Sequence, residues 1–395
     1  MPPPPSKKPG PATVTPQQVE ARARGCLLGL AVGDAMGTTT LFKRLGAPTF
    51  PMLCEGPFVD LVGKGPLAMR LGQVTSATQL ACALAEPMLE LGGYDAEAAA
   101  RAYVKWLPSA TDSSPETRSA VEKIAAGCPW DLAGKRVWLE GFQKPTGNGA
   151  LCRVPPIAIV YAHHQRERID FAVADAQLTH FAPLCQLANV IAASAIATCL
   201  KSAQPVAPVD DVLLAIEADL SIAAAHLGRL WPDFVVPLSD AATWLRQDVQ
   251  AARDDDPMLY GPDLHLFRQE HFVRVCLRLG LWHLFHAPSL EAGVIDVVNR
   301  GGDTVTNAAF TGALLGARDG VATVPERWAA PVLEALGIGP PSLTRLWTHY
   351  HPRHLVQLAD KVKPPAAAPP RPGQPGGPGG PKLPLKKPAK PPGHA

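Results

Sequence analysis

Gly25-Cys26-Leu27-Leu28-Gly29-Leu30-Ala31-Val32-Gly33-Asp34-Ala35-Met36-Gly37 is the stretch from which the fold can be read. Val19, Ala23, Cys26, Leu27 and Leu30 recur at helical spacing across it and the residues before it. Gly25, Gly29 and Gly33 stand four residues apart on another face, a ridge of bare backbone that lets a second helix approach closely. Upstream, Thr15 is a good N-cap, Pro16 suits the first helical position, and Gln18 completes a capping box. Downstream, Gly33 to Gly37 reads as a Gly-rich turn that closes the helix.

Further on, residues 38–70 are irregular, with Gly46, Pro48, Pro51, Gly56, Pro57, Gly63, Gly65 and Pro66, and leave room for at most a short hairpin near 40–60. Leu80, Leu84, Met88 and Leu91 mark a second helix, bent by Pro87 and stopped by Gly92-Gly93. Helical periodicity then returns at 95–107, 115–126, 155–162, 168–178, 184–200, 208–226, 238–251, 268–286, 289–298, 307–318 and 325–336. Period-2 alternation is almost absent. The expected fold is all-α, a compact multi-helix bundle over residues 15–358, with a disordered Pro-rich arm at 1–14 and a disordered basic Pro/Gly-rich tail at 359–395.

Of the 395 residues, 47% are hydrophobic, ample for a large core. No apolar run approaches the roughly 18 residues of a membrane span, and the Ala-rich run from Asn189 to Leu200 reads as a buried helix. The N-terminus has no apolar segment of the secretory kind. Eight cysteines sit mostly among apolar neighbours with no C-x-x-C pair, which points to reduced thiols and a cytoplasmic setting. The net charge of +2 conceals seven basic and no acidic residues from Lys361 onward, leaving −5 on residues 1–360. So the body carries no nucleic-acid signal, and no membrane insertion is expected. Twelve prolines and six glycines in residues 364–395 give the tail polyproline II character. It is read as a solvated tail, or as a ligand for a Pro-recognising module or an anionic surface.

Common catalytic signatures are missing: no G-x-S-x-G elbow, no Walker A, no H-E-x-x-H and no G-x-G-x-x-G. His163-His164 with Glu167 belongs to a charged, solvated face, and Asp254-Asp255-Asp256-Pro257 lacks the spaced oxygens of a calcium loop. Three loops each place small polar residues directly before a helix: Gln73-Val74-Thr75-Ser76-Ala77-Thr78, Thr146-Gly147-Asn148-Gly149-Ala150 and Gly301-Gly302-Asp303-Thr304-Val305-Thr306. Helix N-termini suit phosphate or carboxylate ligands. The alternative for each is simple capping, by Thr75, Asn148 and Asp303.

In their order and spacing these pieces resemble the ADP-ribosylglycohydrolase family. The opening helix ends in Gly33-Asp34-Ala35-Met36-Gly37, and the G-N-G segment runs from Gly147 to Pro156. Leu178-Thr179-His180 matches a T-H motif. Trp282, Asn299 to Thr304, Gly312 to Ala317 and Pro325-Glu326-Arg327-Trp328 match the C-terminal half, so that the likeness covers roughly residues 22–340. The resemblance implies a compact all-α bundle whose active members hold two Mg²⁺ or Mn²⁺ ions. Those ions orient the ribose hydroxyls of ADP-ribose for cleavage of an N- or O-glycosidic bond.

The family's metal ligands come from a T-D-D-T loop, a G-G-D-T-D-T loop and a Glu after the first helix. Here Thr75 and Thr78 keep the ends of the first loop, but Ser76 and Ala77 replace both acids. Asp303, Thr304 and Thr306 are kept in the second, Val305 replaces its second acid, and the Glu position falls on Leu41. Two divalent ions would bring +4 against the single charge of Asp303, which argues against a two-metal centre. One weakly held Mg²⁺ or Mn²⁺ on Thr75, Asp303, Thr306 and waters is the arrangement left. Asp34, Gly147, Asn148, Gly149, His180 and Gly302, which the resemblance assigns to embracing ADP-ribose, are retained. His180 also reads as a buried histidine bonded to backbone. Three functions are consistent with this pattern. The first is a hydrolytically impaired homologue that binds ADP-ribose or an ADP-ribosylated molecule. The others are an active hydrolase with an altered, mononuclear site, and a non-enzymatic scaffold working through its tail.

Overall fold

Thr15 caps α1 (Pro16–Gly37) as its sequence predicts: its hydroxyl accepts the Gln18 N–H at 3.2 Å, and the Gln18 side-chain oxygen accepts the Thr15 N–H at 2.9 Å. The helix does not turn at Gly33 but continues to Gly37. The reason is α13 (Thr304–Asp319), which runs antiparallel along the glycine ridge. A Cβ on Gly25, Gly29, Gly33 or Gly37 would collide with the backbone of Gly316, Gly312, Ala308 or Thr304 respectively. Close packing over the whole ridge outweighs the poor helix propensity of glycine, here about 1 kcal/mol per residue.

The structure is a computed structural model that describes residues 13–45, 56–255, 259–335 and 349–361. Residues 1–12 of the Pro-rich arm, 362–395 of the tail and the middle of the 40–60 segment lie outside them; residues 359–361, expected to belong to the tail, instead close the last described helix (Pro352–Lys361), where Ala359 is buried. The described residues form fifteen α-helices and no β-strand, so the fold is compact and all-α. Numbered in chain order, these include α2 (Ser76–Leu91), α3 (Ala96–Trp106), α4 (Pro115–Ala125), α5 (Trp130–Glu140) and α8 (Pro183–Lys201). Later come α10 (Val235–Arg253), α11 (Val273–His286) and α12 (Leu290–Arg300).

Around the α1–α13 pair pack α8, α11 and α12, and the shared core includes Leu27, Leu30, Ile191, Leu277 and Phe310. By length and composition α8 could cross a membrane, yet 94% of its apolar window is buried inside the fold. It is a core helix. Six of the seven described cysteines are buried, and all seven are free thiols.

Two elements differ from the periodicity. Helix α5 carries no continuous apolar stripe: Ala133 and Trp138 are buried whereas Leu132 and Leu139 face solvent. The 268–286 pattern becomes helix only from Val273, because the preceding residues are tied elsewhere. The Val273 N–H donates to the Thr146 carbonyl at 3.0 Å, and Phe272 bridges to Gly147.

The consequence for function lies at one end of the bundle. Gly37 ends α1 against Thr304, where the Thr304 hydroxyl donates to the Gly37 carbonyl at 2.6 Å. The N-termini of α2 and α13 therefore open at the same end.

Candidate functional site

Asp34, buried on α1, gathers the start of α2. Its carboxylate accepts the Thr75 N–H (3.0 Å), the Thr75 hydroxyl (2.8 Å), the Thr78 N–H (3.0 Å) and the Thr78 hydroxyl (2.6 Å). It thereby satisfies donors that a helix N-terminus otherwise leaves unpaired. Burial pushes its carboxyl up to about 7, against the pull of these donors. Asp34, Thr75 and Thr78 are thus bonded to one another beneath the cleft and do not line it.

At the start of α13, Asp303 accepts the Thr306 N–H with Oδ1 at 3.4 Å. Its Oδ2 accepts from the Asn148 amide at 2.9 Å and lies 3.0 Å from His271 Nδ1. That hydrogen bond holds the His271 ring above its ordinary pKa, against partial burial. Gly302, at φ +74°, does not reach the cleft; its carbonyl accepts the Phe42 N–H at 2.8 Å. Phe42 sits at φ +58°, a left-handed conformation costly for an aromatic residue, and meets the His271 ring edge-on at 5.4 Å. This pairing carries Leu41 into the cleft wall.

The third loop packs over His180. A Cβ at Gly147 would meet Glu116 Oε1 at 2.8 Å and the His180 ring at 3.3 Å, and one at Gly149 would meet that ring at 3.2 Å, so the loop packs tightly over His180. The ring is buried behind the loop rather than facing the cleft, and burial beside Arg153 pushes its pKa down to about 3. Gly147 lines an outer groove, whereas Asn148 and Gly149 line the cleft itself.

The cleft has a volume of about 250 Å³. Of the residues the sequence singled out, it brings together Asn148, Gly149, Asp303 and Thr306, with Ser76, Ala77, Leu41 and Val305 beside them. Sequence reading missed Asp112 and His271, which also line it. The Ser76 N–H and hydroxyl donate to Asp112 at 2.7 and 3.0 Å, and burial raises the Asp112 carboxyl. Thr111-Asp112-Ser113-Ser114 before α4 is the same small-polar signal as the three chosen loops. His271 gave no signal because its segment was read as helix.

These residues do not fit a dinuclear metal centre. Two hard cations need a shell of oxygens that includes several carboxylates. Leu41, Ala77 and Val305 present carbon to the cleft, Thr75 is bonded to Asp34, and Oδ2 of Asp303 is engaged by Asn148 and His271. Among the described residues, no group of three His, Cys, Asp or Glu side chains converges to hold an ion. Asp254 and Asp255 merely close α10, with Asp255 accepting from the Trp282 indole at 3.1 Å.

The family described as ADP-ribosylglycohydrolase matches residues 15–365. The chain belongs to the ADP-ribosylglycohydrolase family. It is similar to the ADP-ribosylarginine hydrolase Tri1 of Pseudomonas putida (strain GB-1), 27% identical over 331 residues that cover 81% of this chain and 76% of that one. The ADP-ribosyl-[dinitrogen reductase] glycohydrolase of Rhodospirillum rubrum is 25% identical over 326 residues, 80% of this chain and 91% of the relative. A solved structure of an ADP-ribosylglycohydrolase-related protein complex superposes with a TM-score of 0.59 at 25% identity, covering 87% of this chain and 99% of that one.

Proposed function

We propose that the chain binds ADP-ribose, free or attached to a macromolecule, in the cleft between α2, α13 and the Gly147-Asn148-Gly149 loop, and that its hydrolytic power is impaired. One observation carries this reading: Oδ2 of Asp303 is already engaged by Asn148 and His271. A divalent ion on that oxygen would have to displace them, and the cleft walls beside it at Leu41, Ala77 and Val305 offer no side-chain oxygen. In active members the ions supply electrostatic stabilisation of the cleavage transition state, typically the largest catalytic contribution. The polar groups that line the cleft and can meet a ribose include the Asn148 amide, the Ser76 and Thr306 hydroxyls and the Asp112 carboxyl.

The test is release of ADP-ribose from an ADP-ribosylated arginine substrate in the presence of Mg²⁺ or Mn²⁺. The expected rate does not exceed the protein-free background. Metal-dependent turnover abolished by Asp303→Ala would instead establish the second reading, an active hydrolase with an altered, mononuclear site. That reading is favoured by Asp112, whose carboxyl lines the same cleft as Asp303 and feels its charge.

A further inference from the structure

We propose that Glu116 is a positioning residue for the ligand-binding loop, its carboxylate latching Gly147-Asn148-Gly149 from behind and its protonated form releasing it. The argument starts in the core, at Arg153. Its guanidinium donates to Asp175 (2.8 Å) and to the Thr179 hydroxyl (2.8 Å), and arginine has no acceptor. Thr179 Oγ accepts from Arg153, and the arrangement that also gives its buried hydrogen an acceptor directs it to its other neighbour, His180 Nδ1, at 2.7 Å. A neutral imidazole that accepts at Nδ1 carries its hydrogen on Nε2. That Nε2 is wholly buried, lacks a hydrogen-bond partner, and lies 3.7 Å from Glu116 Oε2. Meanwhile Glu116 Oε1 accepts the Gly147 N–H at 2.7 Å.

As a carboxylate, then, Glu116 faces two donors with two acceptors. As an acid it keeps a full carbonyl acceptor for only one of them, and the O–H oxygen it turns to the other is a weaker acceptor, so the two contacts can no longer both be held at full strength. The choice reaches the cleft through the neighbouring residue, because Asn148 holds Asp303. Burial lifts the Glu116 carboxyl to about 7, partly offset by the Gly147 N–H and His271, so both forms are populated near neutrality.

Other charged groups surround Glu116. Lys144 of the preceding loop and Arg268, Glu270 and His271 before α11 line the same outer groove. Glu122 and Lys123 on α4 and Glu140 on α5 line the groove on its other side. The Cys185 thiol on α8, raised well above its ordinary pKa by burial, stays neutral. His271 gains charge as the pH falls, which strengthens an anionic ligand and is opposite in sign to the latch.

The inference rests on the cleft reading for its ligand, and two measurements separate the two. First, the full chain is titrated with ADP-ribose at pH 6 and pH 8. Binding should be about tenfold weaker at pH 6, the equivalent of one pKa unit between the free and bound states. Glu116→Gln, which presents its amide donor to one of the two N–H groups, should bind weakly at both values and keep only the opposite trend from His271. A wild-type pH dependence identical to that of Glu116→Gln overturns the proposal. Second, the Gly147 amide chemical shift is followed with pH in the absence of ligand. A midpoint near 7 supports the latch even if ADP-ribose fails to bind, in which case the ligand assignment falls and the latch stands. A flat Gly147 amide in the wild-type protein overturns the latch, whether or not Glu116→Gln folds.

Discussion

Asp296 on α12 is the clearest case of a charge this protein can keep buried. It lies 3.0 Å from His283 Nε2 and accepts from Arg300 Nε, and these partners outweigh burial to hold its carboxyl well below the ordinary range. A carboxyl depressed in the folded state contributes stability that is present above its unfolded pKa of about 3.9 and is lost as pH falls toward the folded value. Acid unfolding below about pH 4 should therefore be milder in Asp296→Asn than in the wild type, although the variant starts from lower stability. Asp296→Ala should cost about 3–5 kcal/mol in denaturant melts at pH 7, because it strands Arg300. Asp34 has the opposite sign. Raised to about 7, it favours the fold below the unfolded pKa, and that contribution is lost as pH rises through 7. In the cleft, the combined substitution Leu41→Glu, Ser76→Asp, Ala77→Asp and Val305→Asp should raise Mn²⁺ affinity measurably in an equilibrium titration, while each single change leaves it at the wild-type level. One added carboxylate beside Asp303 and Asp112 still leaves +4 facing at most −3. The missing acids were legible in the sequence, since they are absences at fixed positions of a motif. The engagement of Asp303 was not, because His271 and Asn148 reach it from 32 and 155 residues away.

Among the elements, the α1–α13 pair governs the site. Gly29→Ala should destabilise the protein by about 1–3 kcal/mol in thermal or chemical melts, since the new Cβ meets the Gly312 backbone rather than a side chain that can turn aside. Gly312→Ala should behave alike, and the double variant should fall short of additivity because one helix separation relieves both. The ridge at Gly25, Gly29 and Gly33 was readable from spacing alone. Its continuation to Gly37 was not, because local preference favours a turn there and only α13 overrides it. Helix α5 was hidden for a related reason: it buries only Ala133, Gly134 and Trp138, too few to make a periodic stripe. Asp34, Thr75 and His180 show a different limit. The motif marks them, yet they stand behind the site and hold its loops, a distinction that sequence position cannot express.

For the molecule as a whole, the acidic body and the basic Pro-rich tail are expected to be independent. Ending the chain after Lys363 should leave the melting temperature of the body unchanged, because residues 364–395 offer only Leu383 and Leu385 as large apolar side chains. A fall of several degrees would show that the tail stabilises the body. On the proposed reading of the cleft, this family member binds ADP-ribose without metal and is impaired in hydrolysis. Calorimetric titration of the full chain with ADP-ribose, once with Mg²⁺ and once with a chelator, tests it directly. Saturable binding of the same affinity is expected in both arms, with ADP-ribose recovered intact. Binding that appears only with Mg²⁺, and that Asp303→Ala abolishes, would contradict it.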